Sequence, residues 1–349
     1  MIEQKCADKE WIEAIAKTNR VDKILVEKVI RALMLLEGLT ESGLDFVFKG
    51  GTALMLLFDS SRRVSIDIDI VVPDNEKDIS TIVSVVCDRK RFYGFERQER
   101  MARTRINKEH YKLKFLSALN NQESYILLDV VKEDIHYRNT IKLPIDSTFV
   151  KQEDEPFMVR LPDFNNMLGD KITAFAPNTT GIPYVKGDKE MGMEIIKQMY
   201  DIGCLFDHAD DAETVSEVFS SFAGAELLFR GSKSNIEDVL NDIIETSVSI
   251  CLRQNTGKAD FNILSKGIVQ VKPFIFSESF HLEKAMGYAA KAAYIASVIK
   301  CGVKHFVHFD EDVDMTNWKI AAPMNSKLNK IKRSNPEAFF YLYQVSRMR

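Results

Sequence analysis

The chain is poor in the features that mark several protein classes. Its 349 residues hold only five cysteines, Cys6, Cys87, Cys204, Cys251 and Cys301. They are odd in number, lie far apart and make no metal-ligand spacing, so the expectation is reduced thiols rather than a disulfide scaffold. No run approaches the roughly 18 apolar residues of a membrane span. The opening Met-Ile-Glu-Gln-Lys-Cys lacks an apolar signal core, which points to a cytoplasmic protein. Net charge is only −4, so the chain as a whole is no polyanion binder, and any nucleic-acid contact requires a local patch. Neither a Gly-x-Ser-x-Gly elbow nor a Walker loop is present. The six histidines are scattered; His305 and His308 have helical spacing but no third ligand beside them. No repeat of 20–50 residues and no low-complexity tract stands out.

What is there reads as an ordinary globular chain, 45% apolar and 28% charged, long enough for two domains. Residues 9–43 carry helical periodicity through Trp11, Ile15, Ile24, Leu25, Val29, Leu33 and Leu36, with Gly43 as a C-cap. A short strand over 44–49 enters a Gly-Gly turn and a helix over 52–58. The spacing predicts a strand over 65–72, a helix over 77–91, and strands over 110–116 and 125–131. Residues 141–161 read as extended, 162–175 as helix, 177–189 as loop and 190–208 as helix. Beyond 210 the strand signals fade, with helices over 215–229, 236–252 and 282–299; residues 268–275 are ambiguous. The expected organisation is an α+β catalytic domain over 1–208 and a mainly helical domain over 209–349, joined at the acidic stretch Asp207–Asp211.

Two neighbouring segments carry the chemistry. Lys49-Gly50-Gly51-Thr52-Ala53-Leu54 is a turn whose glycines allow backbone to lie against phosphates. Its N–H groups, at the start of a helix, favour anions, and Thr52 adds a hydroxyl. Arg63-Val64-Ser65-Ile66-Asp67-Ile68-Asp69-Ile70 follows. In a strand of period two, Asp67 and Asp69 leave the same face. A lone Asp-x-Asp is usually a solvated edge. Here Ile66, Ile68, Ile70, Val71 and Val72 surround it, and paired carboxylates in a buried strand are costly without a cation. A hard divalent metal shared with a nucleotide's phosphates resolves that cost. A third carboxylate, Asp129, sits in the later strand as Leu-Leu-Asp-Val-Val.

The Gly-Gly-Thr turn, the Asp-x-Asp strand and the later Asp resemble the nucleotidyltransferase superfamily. The wording Lys-Gly-Gly-Thr-Ala-Leu, then Arg-x-Ser-x-Asp-Ile-Asp, looks like its AbiEii/AbiGii toxin branch, over roughly residues 45–208. The resemblance implies a nucleotidyltransferase (polymerase β-like) mixed sheet with flanking helices. It implies an enzyme that moves NMP from an NTP substrate to an acceptor hydroxyl with two Mg²⁺ ions about 4 Å apart. Asp67 and Asp69 would bridge both ions, and Asp129 would hold the ion that activates the hydroxyl; otherwise Asp129 is a buried strand residue paired with a lysine. Gly50, Gly51 and Thr52 would cradle the triphosphate. Arg63 and Ser65 orient the loop or a phosphate, or Arg63 only anchors the turn. Leu168-Gly169-Asp170-Lys171 looks like the family's Ala-Asp-Lys motif, which gives Lys171 a triphosphate contact unless it is a surface lysine. Lys197-Gln198-Met199-Tyr200-Asp201-Ile202 resembles a further stretch in which Gln198 stands where an acid is usual. Asp201 is then the candidate, either catalytic or tying Lys171 or a helix end in place.

Residues 89–114 hold a local basic excess of ten Lys or Arg against three Glu, interleaved with Phe92, Tyr93, Phe95 and Tyr111. Such a stretch tracks a nucleic-acid backbone and stacks bases, or is simply a solvated surface. The segment from Lys327 to Arg349 is also basic, with six Lys or Arg against Glu337. The family resemblance implies a toxin of a bacterial toxin–antitoxin or phage abortive-infection system acting on RNA, the tRNA 3′ end in particular, with a cognate antitoxin as partner. The alternatives are transfer to a small molecule or protein side chain, and a non-catalytic module that binds nucleotide or a partner.

Overall fold

Capping residues divide the first helical stretch in two. In a computed structural model that describes residues 1–58, 61–73, 78–98, 107–322 and 324–348, α1 (Lys9–Asn19) ends at Arg20, which is left-handed with φ 55°. Asp22 then accepts from the Ile24 and Leu25 N–H groups and starts α2 (Lys23–Glu41). The single expected stretch over 9–43 is thus two helices, because a capping side chain outcompetes continuous periodicity.

The chain divides into two compact units, one of residues Met1–Asp163 with Pro273–Glu278, the other of Phe164–Lys272 with Ser279–Arg349. The first unit is built on β1 (Val47–Lys49), α3 (Gly50–Leu57), β2 (Ile68–Val72), α4 (Ile79–Arg89), β3 (Gly94–Gln98), β4 (Asn107–Leu116) and β5 (Glu123–Lys132). The strands form one mixed sheet in the order β1-β2-β5-β4-β3. Only β2 and β5 run parallel; the other pairs are antiparallel. A second, two-stranded sheet joins β6 (Thr140–Pro144) to β7 (Met158–Pro162). The late segment Pro273–Glu278 closes the unit: Val64 N–H donates to the Phe274 carbonyl, and Phe276 packs edge-on against Phe149.

Alternation fixes which way the sheet faces. On β5, Ile126, Leu128 and Val130 are buried while Tyr125, Leu127 and Asp129 are not. On β4, Tyr111, Leu113 and Phe115 are buried between half-buried neighbours. Helices α2 and α4 pack on this unit's sheet, with the Arg31 guanidinium 4.9 Å from the centre of the Phe115 ring. Each buried aliphatic side chain contributes roughly 1.5–3 kcal/mol. A one-residue slip would turn all of them outward, so the register is firmly held.

The second unit is helical apart from a hairpin of β8 (Val185–Lys186) and β9 (Lys189–Glu190). It comprises α5 (Phe164–Thr173), α6 (Gly192–Phe206), α7 (Ala212–Phe229), α8 (Ile236–Leu252), α9 (Phe261–Gln270), α10 (Leu282–Lys300) and α11 (Pro336–Arg347). The ambiguous stretch 268–275 is the end of α9 followed by a 3₁₀ turn. Helix α10 is buried along almost its whole length, as expected of a helix apolar all round. Its Lys291 is buried too, and ion-pairs with Asp207 at 2.6 Å and Glu337 at 2.9 Å. The loop after α5 is held from α8: Asp242 accepts from the Asn178 N–H and Nδ2 at 2.7 Å each and from the Thr179 hydroxyl at 3.0 Å.

Asp242 gives a stability test. Burial lifts its carboxyl above the ordinary value of 3.8, against the hydrogen bonds from Asn178 that lower it. The folded chain therefore keeps this proton longer than the unfolded chain. The stability so contributed is full below pH 3.8 and is lost as pH rises through the higher folded value. Asp242→Ala should remove that part of the slope. It should also cost about 1–3 kcal/mol, since the Asn178 donors lose their acceptor. Urea unfolding across a pH series checks both.

Candidate active site

The site begins where β1 hands over to α3. Lys49 is extended, Gly50 takes φ +81° and Gly51 enters the helix. A side chain at Gly50 is excluded twice. Its backbone is left-handed, and a Cβ there would stand 2.0 Å from Asp69 Oδ2. A Cβ at Gly51 would stand 2.7 Å from both Arg63 Nη2 and Ser65 Oγ. The turn therefore lies directly against the segment that carries the carboxylates, and the glycines are required by that contact before any phosphate is considered. The Thr52 hydroxyl faces the same segment, donating to the Asp67 carbonyl at 2.6 Å.

That segment differs from the expected strand in one respect. Strand β2 starts at Ile68, not at residue 65. Asp67 precedes it and is exposed, whereas Asp69 lies within it and is half-buried. The period-two argument for a shared face does not apply to Asp67, because the approach to the strand is shaped by other contacts: Arg63 forms a bridge with Ile275, Val64 N–H is held by Phe274, and Ser65 N–H lies 3.4 Å from Met55 Sδ. Arg63 is buried and its Nη1 donates to the Val64 carbonyl at 3.1 Å.

Strand register assembles the remainder. Lys49 pairs with Asp69, Asp69 with Asp129, and Asp129 with His110. Four chemically active residues thus form one row across β1, β2, β5 and β4. Directly paired residues on adjacent strands share a face, so the carboxylates of Asp69 and Asp129 leave the sheet together. His110 Nδ1 lies 2.6 Å from Asp129 Oδ1, the histidine side chain 12% exposed and the aspartate 38%. The expected alternative partner for Asp129, a lysine in a buried strand, is replaced by this histidine at a half-open position. His110 was not legible as a site residue: it looked like one of six scattered histidines, and only its β4 register against Asp129 reveals it.

The donor chemistry fits a hard divalent cation, with carboxylate oxygens on neighbouring strands and no thiolate beside them. Asp69 Oδ2 is already set against the glycine turn where phosphates would arrive. Among the described residues no group of three or more His, Cys, Asp or Glu side chains is arranged to enclose a metal ion, so substrate oxygens and water would complete any coordination shell.

Lys171 and Asp201 belong to the second unit, on α5 and α6, and both are buried. Lys171 Nζ lies 3.2 Å from Asp201 Oδ2 and 3.3 Å from Gln198 Oε1. Lys171 is therefore no surface lysine, and the residue standing where an acid is usual accepts from it.

Over residues 89–114 the basic stretch is partly internal. Residues 99–106, with Arg100, Arg103 and Arg105, lie outside the described residues. Of the remainder, Lys90 is buried and paired with Glu37 and Glu41. Phe92 and Tyr111 are core residues, because β4 alternation turns Tyr111 inward. Neither they nor Lys90 can touch a nucleic acid. Arg89 pairs with Glu41, Arg91 with Asp8, Arg97 with Glu109, and Lys114 with Glu96. What the open face presents beside His110 is Lys112, its Nζ 4.2 Å from the centre of the exposed Tyr125 ring. In the C-terminal basic segment, Lys332 donates to the carbonyls of Thr316 and Trp318, and Arg349 lies outside the described residues.

A family model described as nucleotidyl transferase AbiEii toxin, type IV toxin–antitoxin system, matches residues 35–261. Solved structures to which the chain is similar include MenT4, a nucleotidyltransferase toxin of Mycobacterium tuberculosis, at 12% identity over 95% of this chain and 98% of that one, TM-score 0.49. Another is JHP933 from Helicobacter pylori, at 14% identity over 80% and 93% of the two chains, TM-score 0.43. No curated protein matches in sequence.

The contact between Gly50 and Asp69 can be measured without any assay of function. Gly50→Ala should cost about 1–2 kcal/mol for the left-handed backbone alone, plus the displacement of Asp69. In an Asp69→Ala background the second part should vanish, shrinking the cost of Gly50→Ala by roughly 1 kcal/mol or more in a denaturation double-mutant cycle. Additive costs would mean the two residues do not touch.

Proposed function

The chain belongs to the AbiEii nucleotidyl transferase toxin family of type IV toxin–antitoxin systems, and from that premise we propose a Mg²⁺-dependent, two-metal enzyme acting in the cytoplasm. It moves a nucleoside monophosphate from an NTP to an acceptor hydroxyl on RNA, the tRNA end in particular, and its toxicity is held in check by a cognate antitoxin. The observation that carries this reading is the paired register of Asp69 and Asp129 beside the Gly50–Gly51 turn.

Each residue has a task. Gly50 and Gly51 leave backbone N–H groups open to the triphosphate at the start of α3, and Thr52 and Ser65 hold the turn against the carboxylate segment. Arg63, buried behind Gly51, keeps that turn in place. Asp67, Asp69 and Asp129 are the metal ligands. Mg²⁺ bound there would supply charge for the pyrophosphate leaving group and lower the acceptor hydroxyl's pKa. Lys171 is assigned a triphosphate contact from the family resemblance, and Asp201, its ion-pair partner, holds it in position.

For the acceptor, support comes from the open face of the sheet, where Lys112, two positions along β4 from His110, lies over the exposed Tyr125 ring of β5. A cation beside an exposed ring suits a phosphate next to an unpaired base. One observation favours the second reading, transfer to a small molecule or a protein side chain: most described cations of residues 89–114 are already in ion pairs.

Incubation with each NTP radiolabelled at the α-phosphate, Mg²⁺ and total cellular RNA separates these readings. The expected outcome is label in RNA. Label in protein or small molecules selects the second reading, and no label anywhere leaves a non-catalytic binding module. Asp67→Asn, Asp69→Asn and Asp129→Asn should each lower transfer roughly 100-fold or more with the fold intact. Lys171→Ala should weaken NTP binding measured by calorimetry. Lys112→Ala should weaken RNA binding and flatten its salt dependence, while NTP affinity stays near that of the parent.

A further inference from the structure

We propose that His110 is the positioning residue of Asp129, fixing how that carboxylate is offered to a divalent cation; this rests on the reading of Asp129 as a metal ligand. The two side chains are opposed by register rather than by chance of rotamer, since His110 and Asp129 are Cα partners in the long β4–β5 pairing. The pairing is continuous from Asn107 with Lys132 to Leu116 with Glu123, which leaves neither residue room to slide. At 2.6 Å, Nδ1–H donates to Asp129 Oδ1. Imidazole is rigid, so this bond engages one oxygen along a defined direction and leaves Oδ2 as the ligand atom. It also opposes a specific tendency. Asp69 stands beside Asp129 on the parallel strand, about 4.8 Å away in backbone spacing. Like charges at such a distance push a flexible carboxylate aside. A donor on the far side holds Asp129 in the row before the cation arrives. Ligating carboxylates in metal sites are commonly hydrogen-bonded in this manner, and loss of such a partner typically costs 10–100-fold in metal affinity or activity.

The test is a Mn²⁺ titration followed by electron paramagnetic resonance on the full chain with a non-hydrolysable NTP present. Four proteins are compared: the parent, His110→Phe, His110→Asn and Asp129→Asn. Phenylalanine keeps the ring volume and loses the donor. Asparagine keeps a donor near the Nδ1 position. The expected result is Mn²⁺ affinity about 10-fold or more weaker in His110→Phe, affinity within about threefold of the parent in His110→Asn, and loss in Asp129→Asn. Thermal melts of all four report packing separately, because a merely structural histidine would move the melt and not separate the two His110 variants in Mn²⁺ binding. Parent-like Mn²⁺ affinity in His110→Phe, with loss in Asp129→Asn, overturns the role of His110 and leaves the metal reading standing. Equal weakening in both His110 variants overturns it as well, since the donor would then not matter. Parent-like affinity in Asp129→Asn overturns the metal reading itself and the inference with it.

Discussion

The parallel pairing of β2 with β5 is the constraint on which the site depends. It aligns Asp69 with Asp129, and the alignment cannot drift because Ile68, Ile70, Leu128 and Val130 would leave the core with any one-residue slip. The same pairing sets two negative charges side by side. Like unit charges about 4 Å apart repel by roughly 1 kcal/mol in bulk water and roughly 4 kcal/mol near a protein surface. A fold that keeps them adjacent needs compensation. Part of it comes along the same row, from the His110 hydrogen bond to Asp129. The rest is the charge that the proposed divalent cation would bring.

The glycine turn is tied to the same constraint. Gly50 is pressed against Asp69, and Gly51 against Arg63 and Ser65. The turn proposed to take phosphate at the start of α3 and the carboxylate placement in β2 are therefore one arrangement. A change in the turn alters the ligand set, and a change in the ligand set relaxes the turn. In the second unit, the buried Lys171 is held by the buried Asp201 and the half-buried Gln198, and these partners give the lysine a fixed direction.

Much of this was legible in the residues because it is local. The apolar run after Asp67 marks a strand, Gly50-Gly51 before a helix-forming stretch marks a turn, and Asp129 among branched residues marks an inner strand. What was not legible is non-local. His110 acquires meaning only from its partner 19 positions away. Counting cations over residues 89–114 could not show that Lys90 faces inward between α2 and α4, or that Phe92 and Tyr111 belong to the core. Strand β3 was not expected, nor were helices α9 and α11 although each carries an apolar face, and Asp67 fell outside β2 because its approach segment is held by residues near 275.

The central claim is that Asp69 and Asp129, beside the Gly50–Gly51 turn, form the centre at which a metal-bound NTP is held. The most direct measurement is an anomalous difference map from crystals soaked with Mn²⁺ and a non-hydrolysable NTP. The account requires a manganese peak within coordination distance, about 2–2.5 Å, of carboxylate oxygens from both residues, with the triphosphate against the N-terminus of α3. A triphosphate seated elsewhere, or manganese bound without either carboxylate, would contradict it.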